Sequence, residues 1–468
     1  MNPNNFKSPE INISKIGEEM FQLMKELFPI CRSITGNGVR QTLKIIGEHI
    51  PLETHEILSG VKVYDWTIPK EWNIYDGYII DPNGKKIVDF KQSNLHVLNY
   101  STPVNQKIPL SELQKHIHTI PEKPDLIPYV TSYYSENWGF CMAHKEFLKL
   151  QEGEYLVVID SKLDNGSLTY GEYLIQGKSD EEILLSCYVC HPSMCNDNLS
   201  GVVLLTMLAK YLRNLRNNYS IRFLFIPETI GAITWLYNNE HNISKIKHGL
   251  IATCLGDSGP LTYKKTRKGD AEIDRTVEAI LKKSGTKFRI LDFFPWGSDE
   301  RQFCSPGFNL SVGSLLRSVY GNNEFPEYHT SGDNLDFMNM KSLTESFVTY
   351  LSILFELDNN LNQSLDNVIN SNSQNDIVSK SKPIDKYLNL NPKCEPQLGK
   401  RGIYHQLGGH ESKMQQRKVE FAIFWILNMS DGTNDIEDIS RRSGIPLETL
   451  QTGIEILINA NLLQKIEQ

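Results

Sequence analysis

The run Ile183-Leu-Leu-Ser-Cys-Tyr-Val189 leads straight to His191, and the apolar helix pattern of residues 202–209 opens just beyond. A stretch that is apolar at nearly every position, rather than at every second one, reads as a strand covered on both faces. That demand places it inside a sheet with helices on either side. The same figure recurs. Residues 220–226 form a second such run, followed by a helix pattern over 231–239. Residues 249–255 form a third, before a helix over 273–283. Residues 308–313 read as a late strand and 343–361 as the closing helix. Strands alternating with helices predict an α/β fold with a mostly parallel central sheet and helices on both faces.

Two amphipathic helices, over residues 14–28 and 39–50, precede this pattern. Then the character changes. Residues 61–66, 73–80 and 86–90 are short strand candidates, and Asp81-Pro-Asn-Gly84 is a turn between two of them. This predicts a small β-rich domain inserted at 56–120, which divides the α/β domain into 1–55 and 121–385. Residues 154–160 and 167–175 read as neighbouring strands of the larger domain. Residues 359–381 are polar, as a helix end and linker would be.

Residues 386–468 form a third unit, with helix patterns over 418–427, 435–444 and 446–458 and an apolar end at 462–466. That order is a winged helix-turn-helix pattern. From Met414 onward there are five Lys or Arg against eight Asp or Glu. A nucleic-acid reader needs a positive face, so packing or pairing in a homo-oligomer is the expected role of this unit. The whole chain has a formal net charge of −8 and no long basic block, which argues against nucleic acid and anionic membrane as partners. No apolar run approaches the roughly 20 residues of a membrane span. The N-terminus shows no secretion signal, so a cytoplasmic location is expected. Eight scattered cysteines do not form a disulfide framework, and Cys187, Cys190 and Cys195, which crowd His191, read as structural.

Ligand-type side chains fall where these strands end. His191 follows the first buried run and Asp197 comes six residues later. Glu228 follows the second run and Asp257 the third. His329 lies in Glu327-Tyr-His-Thr-Ser-Gly-Asp333, and Trp296-Gly-Ser-Asp-Glu300 adds further carboxylates. The carboxyl edge of an open α/β sheet is where such folds build reaction centres. Imidazole and carboxylate suit Zn²⁺ or a similar ion, and a glutamate beside a metal-activated water can relay its proton to a leaving amine. Each residue also has a plainer explanation. Asp197 could cap a helix, Glu228 could favour a helix dipole, Asp257 could cap a turn, and His329 could sit in a surface loop.

Taken in order, His191, Asn196-Asp197-Asn198-Leu-Ser-Gly201, Glu228-Thr-Ile-Gly231, Asp257, Gly297-Ser-Asp299 and Tyr328-His-Thr-Ser-Gly-Asp333 resemble the M28 zinc aminopeptidase-like family. More narrowly, the chain resembles a bacterial group with an aminopeptidase-like domain (DUF4910), an inserted β-rich domain (DUF2172) and a C-terminal winged helix. The resemblance implies that Asp197 bridges two zinc ions, that His191 and Asp257 complete one site, and that His329 belongs to the other. Glu228 matches the general base. Thr229 stands where the family has a second glutamate ligand. That leaves one or two ions, and Glu228 as base or ligand, as open alternatives. The expected activity is metal-dependent amide hydrolysis of the aminopeptidase kind on a short peptide or an amidated small molecule such as a sugar precursor. Glu300 and Glu327 are candidates for holding an α-amine, and Tyr133, with Tyr134 and Trp138, for walling the cleft. A non-catalytic or altered-specificity binding protein linked to surface polysaccharide, and a DNA-linked regulator, are the other classes.

Overall fold

A computed structural model describes residues 13–319, 325–367, 385–403 and 414–466. The main sheet has eight strands. Across it they run Glu53–Leu58, Ser167–Ile175, Ser220–Ile226, Glu182–Tyr188, Ile246–Ala252, Val312–Leu316, Leu261–Lys264 and Phe288–Leu291. Glu182–Tyr188 pairs in parallel with both neighbours, and Ile246–Ala252 pairs in parallel with Val312–Leu316. Three pairings nearer the edges are antiparallel, so the sheet is mixed around a parallel centre.

The strand Glu182–Tyr188 is buried along its whole length. Its side chains divide between two cores. Ile183, Leu185 and Cys187 join the helices Ile13–Leu27, Asn37–His49, Ser200–Leu212, Glu272–Lys283 and Met340–Asn367 on one face. Leu184 and Tyr188 join Ile230–Asn238 and Phe303 on the other. Each apolar side chain removed from water contributes about 1.5–3 kcal/mol, and here both faces collect it. The helix Ser200–Leu212 lies between the sheet and three further helices, and all but two of its thirteen residues are buried.

Some expected elements move. The strand Glu154–Asp164 does not pair with Ser167–Ile175. It pairs with Glu71–Ile80 and Val104–Pro109 in a four-stranded antiparallel sheet that also holds Lys86–Asp89. Only alternate residues, Tyr155, Val157, Ile159 and Ser161, are buried, the mark of a sheet with one solvated face. The inserted sheet therefore takes a strand from beyond residue 120, while Glu53–Leu58 belongs to the main sheet. The late strand forms at Val312–Leu316 rather than 308–313, because Phe308 and Asn309 fold back onto Ser305 in a turn. The closing helix extends over Met340–Asn367, and residues 368–381 of the expected linker lie outside the described residues.

The C-terminal unit has helices Met414–Met429, Ile436–Ser443 and Leu447–Asn459 and a three-stranded sheet of Asp431–Asp435, Lys386–Asn389 and Leu463–Lys465. Asp435 caps the second helix and Gly444, at φ 69°, ends it. The third helix carries Glu448 and Glu455 and no Lys or Arg. This unit packs onto the α/β domain. Arg267 bonds to Asn428 and Asp431, and Trp296 stacks on Phe421 at 4.4 Å. Among the described residues no helix is long and apolar enough to cross a membrane.

Gly201 sits where the helix after the Asp197 loop touches the sheet. A Cβ there would lie 2.2 Å from the Ala252 carbonyl oxygen. Gly201→Ala is expected to cost about 1–3 kcal/mol, read as a lowered Tm, and an unchanged Tm would show that the contact relaxes freely.

Candidate metal centre and cleft

Four chain segments meet at the carboxyl edge of the central strands. Tyr188 ends one strand and His191 follows it, with the His191 carbonyl held by Arg32 Nε at 2.7 Å. Arg32 is itself buried and also donates to the Leu27 carbonyl, tying the first helix to this edge. The loop of residues 195–199 then leads into the helix Ser200–Leu212 and carries Asp197, whose peptide bond to Asn198 is cis. Glu228 follows the strand Ser220–Ile226. His329 comes from the segment before Asp333.

His191, Asp197 and His329 each place a donor atom within 4.8 Å of the others. Asp197 Oδ2 is 3.0 Å from His329 Nε2 and 3.9 Å from His191 Nε2. Donors around one tetrahedral zinc stand about 3.4 Å apart, between those two values. Asp197 is 1 % exposed, and Oδ2 makes no well-formed hydrogen bond. Its other oxygen, Oδ1, accepts from the Tyr188 hydroxyl, which also contacts Thr253 Oγ1 at 2.7 Å. The carboxylate is thus anchored by one oxygen and presents the other toward two imidazoles. Two imidazoles and a buried carboxylate oxygen fit Zn²⁺.

The electrostatics agree with that fit. Burial pushes the His191 imidazole down to about 4, so it is neutral, the form that ligates. Burial works to raise Asp197, but His191, His329 and Tyr188 outweigh it and lower its pKa. Glu228 Oε2 stands 3.9 Å from His191 Nε2. Burial, then the nearby Asp299 and Asp197 carboxylates, raise Glu228 well above the ordinary carboxylate range. Cys190, His191 and Glu228 form a second close group. The Cys190 sulfur accepts the Glu228 N–H, and burial keeps its thiol protonated.

Asp333 holds the loop in shape. Its carboxylate accepts from the backbone N–H groups of Cys195, Asn196 and Asp197 at 3.1, 2.6 and 2.8 Å. Burial raises its pKa to about 8, against the pull of those three donors. One short segment therefore supplies both His329 and the clamp on the Asp197 loop. Tyr129 packs against both imidazoles, 5.2 Å from each ring centre. Nothing in the sequence spacing singled out Tyr129 or Tyr188. Asp333 was visible in its motif but without a role.

Three expected residues lie elsewhere. Asp257 is buried, and both its oxygens are taken. Oδ1 accepts from Gly259 N and Ser318 Oγ, and Oδ2 from Asn196 Nδ2 and Ser318 N. It braces the loop through Asn196 and does not join either group of side chains that could hold a metal ion. Glu300 is fully buried in an ion pair with Lys264 and does not reach the cleft. The Glu327 side chain packs beside Gly332, and its carbonyl accepts from Thr330. Tyr133 does line the cleft, with its hydroxyl 2.8 Å from that of Tyr129. Thr229 is engaged by other partners, its N–H donating to Asp299 and its hydroxyl accepting from Arg301.

The cleft above this centre encloses about 390 Å³. Trp66, Tyr129, Tyr133 and Tyr134 form aromatic walls, and residues 395 and 397–400 of the C-terminal unit close one side. Asp65 fixes that closure by pairing with Lys400 and Arg401, while Trp66 Nε1 donates to the Glu395 carbonyl at 2.7 Å.

An α/β domain of zinc-aminopeptidase shape, with a β insert and a winged helix, is the class that this fold defines. Solved structures of the same shape include a zinc aminopeptidase from Bacillus subtilis, with a TM-score of 0.55 at 12 % identity over 75 % of this chain and 96 % of that one. An M28 peptidase precursor from Shewanella amazonensis has a TM-score of 0.51 at 12 % identity, over 73 % of this chain and 94 % of its own. At such identity the likeness is one of fold. The chain belongs to the family described as domain of unknown function DUF4910, which it matches over residues 21–360, and residues 385–465 match a winged helix-turn-helix family. A Clostridium acetobutylicum protein, provisionally named as a polysaccharide biosynthesis protein with an aminopeptidase-like domain, is 53 % identical over 97 % of this chain and 98 % of its own. A crystal structure from the same organism, provisionally named a peptidase, has a TM-score of 0.73 at 52 % identity, covering 97 % and 98 % of the two chains.

Two outcomes follow from this geometry. Tyr188→Phe removes the anchor of Asp197 and is expected to weaken zinc binding about 10–100-fold, measured by competition with a chromogenic chelator. Glu300→Gln leaves Lys264 as an unpaired buried charge and is expected to cost about 3–5 kcal/mol in urea unfolding, with zinc affinity unchanged. A stable Glu300→Gln protein with altered substrate affinity would return Glu300 to the cleft.

Proposed function

We propose that this protein is a single-zinc amide hydrolase of altered specificity, acting on an amide-bearing precursor in surface polysaccharide assembly. The observation that carries the proposal is Asp197 Oδ2, a buried carboxylate oxygen turned toward the nitrogens of His191 and His329 with Glu228 alongside. His191, Asp197 and His329 would hold the ion. A zinc ion there supplies Lewis-acid activation of water and of an amide carbonyl. Glu228 is the group placed to take a proton from the attacking water and return it to the leaving amine. Burial and the neighbouring carboxylates raise its pKa, which strengthens its hold on the proton that it would carry. Tyr188 and Asp333 fix Asp197, and the aromatic walls exclude bulk water.

Specificity for a free α-amine would need a carboxylate facing the centre. Among the described cleft residues the carboxylates are Glu228 and Glu395. Glu395 is engaged by Arg301 at 3.3 Å. An N-acylated amino sugar or similar small amide therefore fits better than a peptide N-terminus, and the name of the Clostridium relative supports a polysaccharide context. A cytoplasmic location and self-association belong to the same proposal. A non-catalytic binding role has one observation in its favour: Thr229, beside Glu228, is bonded to Asp299 and Arg301 and offers no second carboxylate.

Protein purified without chelator is expected to carry about one zinc per chain, and His191→Ala to lose it, by atomic emission. With N-acetylated amino sugars and peptide anilides as substrates, Glu228→Gln is expected to lower kcat about 10²–10⁴-fold while zinc stays bound. Stoichiometric zinc without turnover of either substrate class would leave the binding role instead.

A further inference from the structure

A second cavity lies on the other side of the loops that carry the two imidazoles. It encloses about 720 Å³ between the start of the helix Asn37–His49, the inserted sheet and residues 90–95. Ser193 and Ser331, each two residues beyond a candidate ligand, line it, but His191, Asp197, Glu228 and His329 do not. Its chemistry differs from that of the cleft. Carboxamides come from Asn37, Gln41, Gln92 and Asn94, and aromatic surface from Tyr75 and Phe90.

We infer that this cavity is a binding site for a neutral saccharide. Lys91 is the one charged residue among those described as lining it, and it is paired with Asp76 at 2.9 Å. That leaves little to attract an anion, and without a lining carboxylate little to hold a cation. A lipid would leave the carboxamides unsatisfied. Hydroxyl groups of a sugar both donate and accept, as carboxamides do, and the C–H faces of a sugar ring pack on aromatic side chains. Tyr75 is 51 % exposed, an uncovered ring of the kind such packing uses. Gln41 and Gln92 are exposed, and their carboxamides make no hydrogen bond within the described chain. Asn94 adds an independent sign. Its Nδ2 donates to Ser193 Oγ at 2.7 Å, while its Oδ1 is buried and accepts nothing. An acceptor left without a donor is costly, and a turn of the Asn94 side chain toward the cavity would let a ligand hydroxyl satisfy it. The volume lies within the roughly 300–1,000 Å³ of small-molecule sites.

The test titrates the full-length protein with neutral di- and trisaccharides of glucose, galactose, mannose and N-acetylglucosamine, by calorimetry and saturation-transfer NMR. At least one is expected to bind. Tyr75→Ala or Gln92→Ala is expected to weaken it about fivefold or more, and His191→Ala to leave it unchanged. Both residues are exposed, and circular dichroism checks that the variants fold. Binding of no member of the panel, binding that neither substitution weakens, or binding lost with His191→Ala overturns the proposal. Because the readout is binding, its failure is distinct from failure of zinc loading or turnover.

Discussion

A carboxylate taken to 1 % exposure costs several kcal/mol unless its charge is met, and Asp197 sits at that depth. Much of the architecture around it answers that cost. Tyr188 satisfies one oxygen, and the two imidazoles face the other. The backbone on either side cannot drift, because Asp333 holds three successive N–H groups and Asp257 holds Asn196. Arg32 fixes the carbonyl of His191 from the first helix. Residues from widely separated parts of the chain are thereby committed to one small volume. Such commitment is typical of a site that must keep its shape when a ligand enters.

The accessory units complete this centre rather than stand apart from it. The insert brings Asp65 and Trp66 over the cleft, where they meet residues 395–401 of the C-terminal unit. The winged helix is anchored through Arg267 and the Trp296–Phe421 stack. Its third helix has acidic and no basic side chains. The insert also forms one wall of the second cavity.

Much of the fold was legible because burial on two faces writes a continuous apolar run. The runs at 183–189 and 220–226 became central strands, the run at 249–255 did so only as far as Ala252, and the helix and glycine signals near 435–444 marked the winged helix. The strand Glu154–Asp164 was harder. Its apolar stretch looks like a central strand, and only its partners reveal that one face is solvated. Of the candidate site, His191, Asp197, Glu228 and His329 were marked by residue type at strand ends. Asp257 and Glu300 carry the same chemical type, yet bonds to Ser318 and Lys264 turn them inward.

The sequence alone determined the alternation of strands and helices, the helix caps, and which side chains are capable of holding an ion. These are local properties, set by periodicity, side-chain chemistry and the residues next in line. Only the tertiary structure decided which capable side chains converge, which are consumed by the scaffold, and what closes the cleft. Those outcomes depend on contacts across as many as 336 positions, as between Asp65 and Arg401, and no local pattern encodes the direction in which a buried carboxylate points.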